Sequence, residues 1–162
     1  MPDLPECTFN LNNQPFSALI CGSQKYQAFS GDMDGRNNPG KAAVANVGPI
    51  PPGMYYIVDR PVGGRFPWLE AEIHDLISGS EREHWFALYA KGTLSDFTFV
   101  QGIRRGNFRL HPVGRLRLSE GCITLTSTMD FDALSKYLLG QPVTYIPGTK
   151  IRYYGTVTVT GK

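Results

Sequence analysis

Eighteen glycines and twelve prolines punctuate the 162 residues of this chain, and that punctuation limits the fold more than any other feature. Between them stand short runs rich in Val, Ile, Thr, Tyr and Phe, too brief for most helices and of the composition that suits a pleated, half-buried surface. Residues 8–11 and 16–21 flank the turn-like Asn12-Asn-Gln-Pro15 and read as a hairpin, with 26–29 as a third strand ending at Ser30-Gly31. Residues 32–40 form a polar loop, and Gly48-Pro-Ile-Pro-Pro-Gly53 is a stiff turn entering a strand at 54–58. Further strands are expected at 84–90, 97–100, 108–111, 122–125, 143–146 and 151–159. One segment, 127–139, has a helical pattern. Ser127 or Thr128 can cap it, Asp130 and Asp132 lie in its first turn and Gly140 follows its end, while Phe131, Leu134, Tyr137 and Leu138 share a face. With no repeat, low-complexity stretch or linker, the expectation is one mainly β domain over residues 1–162, with a single helix following the strand that begins at Cys122.

Charged residues at 19% and aromatics at 12% describe a chain that can bury a core. A net charge of +2 is too small to argue for a nucleic-acid partner. No apolar run approaches the roughly 20 residues of a membrane span, so no membrane insertion is expected. Met1-Pro-Asp-Leu-Pro-Glu-Cys7 lacks the basic and apolar regions of a signal peptide, which predicts cytoplasmic synthesis without export through the general secretory route. The basic residues are uneven: Arg104, Arg105, Arg109, Arg115 and Arg117 crowd one stretch, as an anionic ligand would require, although arginines on solvated strand faces are commoner.

That stretch also carries the chemistry. His111, followed by Pro112 and Gly114, precedes Ser119-Glu-Gly-Cys122 by a short connection. A thiol set between small residues at a strand entry, with an imidazole beside it, is the equipment of nucleophilic acyl transfer: nucleophile, base, and backbone N–H groups of Gly121 and Cys122 for the oxyanion. A lone Cys is more often an inert small hydrophobe, and a lone His more often structural; their pairing reverses both readings. Ser119 either donates to substrate or steadies the turn. Arg109, two residues before His111 on the same strand face, is the best candidate to grip a substrate carboxylate, with Arg115 as a second. The partner that orients His111 is open between a carboxylate and a backbone carbonyl. His74 and His84 have no partner in sequence and read as structural. No zinc-ligand spacing links these histidines with Cys122, and Gly102-Ile-Arg-Arg-Gly106 lacks the Lys and helix of a phosphate loop, so neither metal nor cofactor is expected. Cys7 and Cys21 fall roughly opposite each other across the N-terminal hairpin. A cross-strand disulfide and two buried thiols both remain open.

The segment from His111 through Ser119-Glu-Gly-Cys-Ile-Thr124 resembles the L,D-transpeptidase signature, with three departures: Glu120 stands where that signature has His, the His-to-Cys gap is several residues shorter, and Thr124 replaces an Arg or Asn. It is more similar to the L,D-transpeptidase-like effectors of type VI secretion systems, through His111-Pro-Val-Gly114 and Ser119–Ile123. Phe29-Ser-Gly31, Asn37-Asn-Pro39, Gly48–Ile57 and Tyr153-Tyr-Gly155 extend that similarity over most of the chain. The resemblance implies a β-sandwich-like catalytic domain and action on peptidoglycan tetrapeptide stems, as an L,D-carboxypeptidase, a D-amino-acid exchanger, or both. It further implies delivery by a secretion apparatus to the periplasm of a rival cell and a cognate immunity protein; separately, a monomer is expected. The competing readings are a housekeeping L,D-transpeptidase that forms cross-links, a non-catalytic peptidoglycan-binding β domain, and a papain-like hydrolase, in which Cys would precede His.

Overall fold

The computed structural model describes residues 3–59, 85–113 and 121–161. The elements are β1 (Glu6–Asn10), β2 (Ser17–Cys21), β3 (Gln24–Phe29), β4 (Gly53–Asp59), β5 (Phe86–Ala90), β6 (Phe97–Val100), β7 (Ile103–Gly106), β8 (Arg109–Pro112), β9 (Ile123–Leu125), α1 (Thr128–Leu139), β10 (Thr144–Tyr145) and β11 (Arg152–Thr160). The mainly β reading with one helix following the Cys strand holds. β7 is the strand that the sequence reading passed over, because Ile-Arg-Arg-Gly carries no apolar alternation.

Nine strands form one sheet in the order β1-β2-β3-β9-β8-β5-β4-β11-β10, while β6 and β7 pair as a separate hairpin. β1 also pairs in parallel with β11, Glu6 to Thr156 through Asn10 to Thr160, so that every strand of the large sheet except β10 belongs to a closed ring. The domain is therefore barrel-like, one ladder closed on itself where a sandwich would have two separate sheets. Closure leaves few backbone groups exposed at an open edge.

Alternation along the strands divides two faces. Tyr55 and Ile57 of β4, Phe86 and Leu88 of β5, Leu110 of β8, Ile123 and Leu125 of β9, and Val157 and Val159 of β11 belong to the main core. α1 seals that core with Phe131, Leu134 and Leu138, all fully buried. Ser127 caps its start by accepting the Asp130 N–H (3.2 Å). Tyr137, grouped with the apolar face in the sequence, is more than a third exposed. The opposite sheet face carries a smaller cluster of Val58, Ala87 and Ile146, flanked by Tyr56, Tyr89 and Tyr153.

The polar loop after β3 holds two single 3-10 turns, Met33–Gly35 and Pro39–Lys41, and folds back against the barrel. Buried Asn37 organises it: its backbone N–H donates to the Ser30 carbonyl (2.7 Å), its Oδ1 accepts the Ser30 N–H (2.9 Å) and its Nδ2 donates to the Gln14 carbonyl (2.8 Å). Ser30 Oγ in turn accepts the Ile50 N–H (2.8 Å), which pins the proline turn before β4. Cys7 and Cys21 face each other across β1 and β2 and are joined, with an S–S distance of 2.11 Å. Of the two states open in the sequence, the structure has the disulfide.

Candidate active site

β8 and β9 run side by side in parallel, with Leu110 opposite Ile123 and His111 opposite Thr124. Because side chains at matching positions point the same way, Leu110 and Ile123 enter the core while His111 and Thr124 share the other face. Cys122, one residue before β9, is level with Arg109. The thiol and the imidazole thus occupy diagonal positions on neighbouring strands, which lie ~4.8 Å apart. Both residues are 6% exposed.

The local chain explains the placement. Pro112 ends β8 where no ladder N–H is needed, and the next residue, Val113, resumes pairing by donating to the Leu125 carbonyl (2.7 Å). Gly121 enters β9 with φ of +94°, a conformation that side chains resist. A Cβ there would fall 2.7 Å from Arg105 Nη2 and 2.8 Å from the Phe108 ring. Glycine is required at position 121 both for its torsion and for the space it leaves.

His111 is held in one tautomer. Its Nδ1 lies 2.7 Å from the Pro112 carbonyl, an acceptor only, so Nδ1 carries the proton and Nε2 keeps a lone pair. The orienting group left open in the sequence is thus a backbone carbonyl. The ring stacks on Trp85, with centroids 4.3 Å apart and planes inclined by 15°. Burial disfavours the imidazolium and lowers the His111 pKa to about 4; the Pro112 hydrogen bond opposes this and the nearby Arg109 charge reinforces it. At neutral pH His111 is an uncharged base. Cys122 Sγ lies 3.7 Å from the Asn107 carbonyl, which accepts the thiol proton at rest.

The arginines depart from expectation. The Arg109 guanidinium is buried and meets Asp96 with both ends, Nη1 to Oδ1 at 2.6 Å and Nη2 to Oδ2 at 2.8 Å, and Nη1 also donates to the Phe108 carbonyl. Although burial opposes its charge, the Asp96 hydrogen bond and charge raise its pKa overall. In this structure its bidentate geometry is met by an internal carboxylate, and the pair braces β8 and the turn before β6. Arg105, counted in the sequence only as one of a cluster, is 4% exposed and reaches toward Gly121. Trp85 carries no sequence signal that ties it to the site. No local pattern reveals that an aromatic entering β5 will stack on an imidazole from β8. Thr124 is fully buried opposite His111, and its hydroxyl has no hydrogen-bond partner among the described residues. Ser119, Arg115, Arg117, Glu120, His74 and His84 lie outside the described residues. Among the described residues no group of three or more His, Cys, Asp or Glu side chains could hold a metal ion, and no helix is long and apolar enough to cross a membrane.

The barrel-like β domain thus sets a neutral imidazole on one strand and a thiol at the start of the adjacent parallel strand, with a glycine opening space before the thiol. A family model, the Tlde1 domain, matches residues 24–149. The chain belongs to this type VI effector family, whose theme is peptidoglycan. No curated protein and no solved structure matches the chain. The matched span contains His111, Cys122 and α1, whereas β1, β2 and β11 lie outside it.

Proposed function

We propose that the whole chain is one catalytic domain in which Cys122 is the nucleophile and His111 the base of an acyl transfer on peptidoglycan tetrapeptide stems. The observation that carries this reading is the diagonal placement of Cys122 and His111, with the His111 tautomer held by Pro112 so that its Nε2 lone pair is available. Nε2 accepts the thiol proton. The sulfur attacks the carbonyl joining the L-centre of the diamino acid to the terminal D-Ala, and the N–H groups of Gly121 and Cys122 receive the oxyanion. The imidazolium returns its proton to the leaving amine, D-Ala departs, and a thioester remains. Water resolves the thioester to a tripeptide stem; a D-amino acid resolves it to an exchanged stem. Either outcome removes donor stems needed for cross-linking, which accords with an effector delivered into a rival's periplasm and restrained in its producer by an immunity protein. Ser119 and Arg115 are carried forward as substrate-contacting residues of the same reading.

Purified disaccharide-tetrapeptide incubated with the protein, with and without D-Met, tests this by mass spectrometry beside Cys122→Ala. Tripeptide, or a stem carrying D-Met, is expected from the native protein alone. Unchanged tetrapeptide with Cys122 demonstrably reduced would turn the reading to a peptidoglycan-binding domain.

A further inference from the structure

Arg105 sits on β7, outside the Cys–His pair, in surroundings unlike those of Arg109. Its Nη1 donates to the carbonyls of Ala42 and Pro49 (3.1 Å for the latter), and its Nη2 donates to the Gly48 carbonyl (3.0 Å). These three acceptors are neutral. Among the described residues no carboxylate pairs with Arg105, and burial lowers its pKa from the ordinary value. An arginine in this state is costly unless an anion offsets it.

Two ionisable neighbours favour its charge, Tyr55 and Cys122. Tyr55 is no anion at neutral pH: burial holds its pKa far above the usual phenol range, and its hydroxyl donates to the Pro51 carbonyl (2.6 Å). Among the described residues, Cys122 is therefore the group whose ionised form Arg105 can offset. The approach is built into the backbone, since the missing Cβ of Gly121 is what lets Nη2 come against the residue preceding the thiol. We propose that Arg105 is the counter-charge of the Cys122 thiolate, a positioning residue that stabilises the negative charge on the sulfur as His111 takes its proton.

Two other groups near the thiol among the described residues, His111 and Arg109, differ from Arg105 in this respect. His111 is neutral at pH 7. Arg109 interacts with Cys122 as well, but both ends of its guanidinium are paired with the Asp96 carboxylate. The loop of residues 42–49 thus has a second consequence: by occupying three donors of Arg105, it fixes where the charge points. The inference deepens the acyl-transfer reading and depends on it only for turnover.

The test is the pH profile of Cys122 alkylation by iodoacetamide, in which the thiolate displaces iodide, read by intact mass with the Cys7–Cys21 bond preserved. The native midpoint should lie below about 8.5, the ordinary thiol value. Arg105→Gln keeps an amide donor for the loop carbonyls but loses the charge, and should raise the midpoint by about one unit, roughly tenfold less thiolate at pH 7. Arg105→Lys keeps the charge and should shift it by less than half as much. A native midpoint at or above 8.5 overturns the proposal without any variant. Superimposed native and Gln profiles, or equal shifts for Gln and Lys, overturn it as well. Stem-peptide turnover by the native protein, followed in parallel, separates the two ideas. Turnover with an ordinary thiol removes the role of Arg105 alone, whereas a depressed midpoint without turnover removes the acyl-transfer reading alone.

Discussion

His111 shows how one side chain's surroundings set both its chemistry and its contribution to stability. Trp85 covers one face of the buried ring, and burial outweighs the Pro112 hydrogen bond that favours the charged form, so the folded protein carries a neutral imidazole at a pH where an unfolded chain carries a charged one. The folded pKa, about 4, lies below the unfolded value of about 6.5. The resulting stability is fully present above pH 6.5 and is lost as pH falls toward 4, on the order of 3 kcal/mol for this group. Trp85→Leu, which uncovers the ring, should raise the His111 pKa toward 6.5 and flatten that acid dependence. Nitrogen chemical shifts of His111 followed through a pH titration, beside denaturant unfolding at pH 5 and pH 7, check both effects; a His111 that already titrates near 6.5 in the native protein contradicts the argument. The His–Cys pairing is legible in the sequence, because it follows from two segments joined by a short connection. The Trp85 stack, the Asp96–Arg109 pair and the bonds from Arg105 to the 42–49 loop are not, because each joins residues that only the sheet order brings together.

At the scale of elements, α1 is the support behind the strands that carry His111 and lead on from Cys122. It packs on β8, β9 and β11, and only two residues separate it from the end of β9. Its local signals and its packing differ in weight. Ser127→Ala removes one capping bond and should cost about 1 kcal/mol. Leu134→Ala opens the core beneath the two strands and should cost about 2–5 kcal/mol. Thermal or urea unfolding measures both, and stem-peptide turnover should fall further in the Leu134 variant at a temperature where it remains folded. A larger loss from Ser127→Ala would mean that helix initiation, rather than core packing, governs the support. This helix was legible almost to its ends, since cap, acidic first turn and apolar spacing lie within one segment. β7 was not: Arg104 and Arg105 disguise a strand whose partner is β6 and whose buried arginine is held from a distant loop.

Over the whole molecule, the decisive contact is the parallel pairing of β1 with β11, which joins the two ends of the described chain and closes the ring. The Cys7–Cys21 bond ties that closing strand to β2. Its loop spans 14 positions, so the chain-entropy model assigns it about 3 kcal/mol. Cys7→Ser with Cys21→Ser should lose about that much in urea unfolding while retaining Cys122 chemistry in the native state. No change in midpoint would show that the β1–β11 ladder closes the barrel unaided. An oxidising compartment favours this bond and a reducing cytoplasm does not, in keeping with a protein that acts after delivery. By itself, the sequence determined what local physics controls: short strands between Gly and Pro, a capped amphipathic helix, and a thiol and imidazole at a spacing suited to one site. Tertiary structure alone decided the closure of the sheet, the tautomer of His111, and which arginine meets a carboxylate and which meets backbone carbonyls. Those outcomes depend on long-range register and on burial, and neither is written in any short stretch of chain.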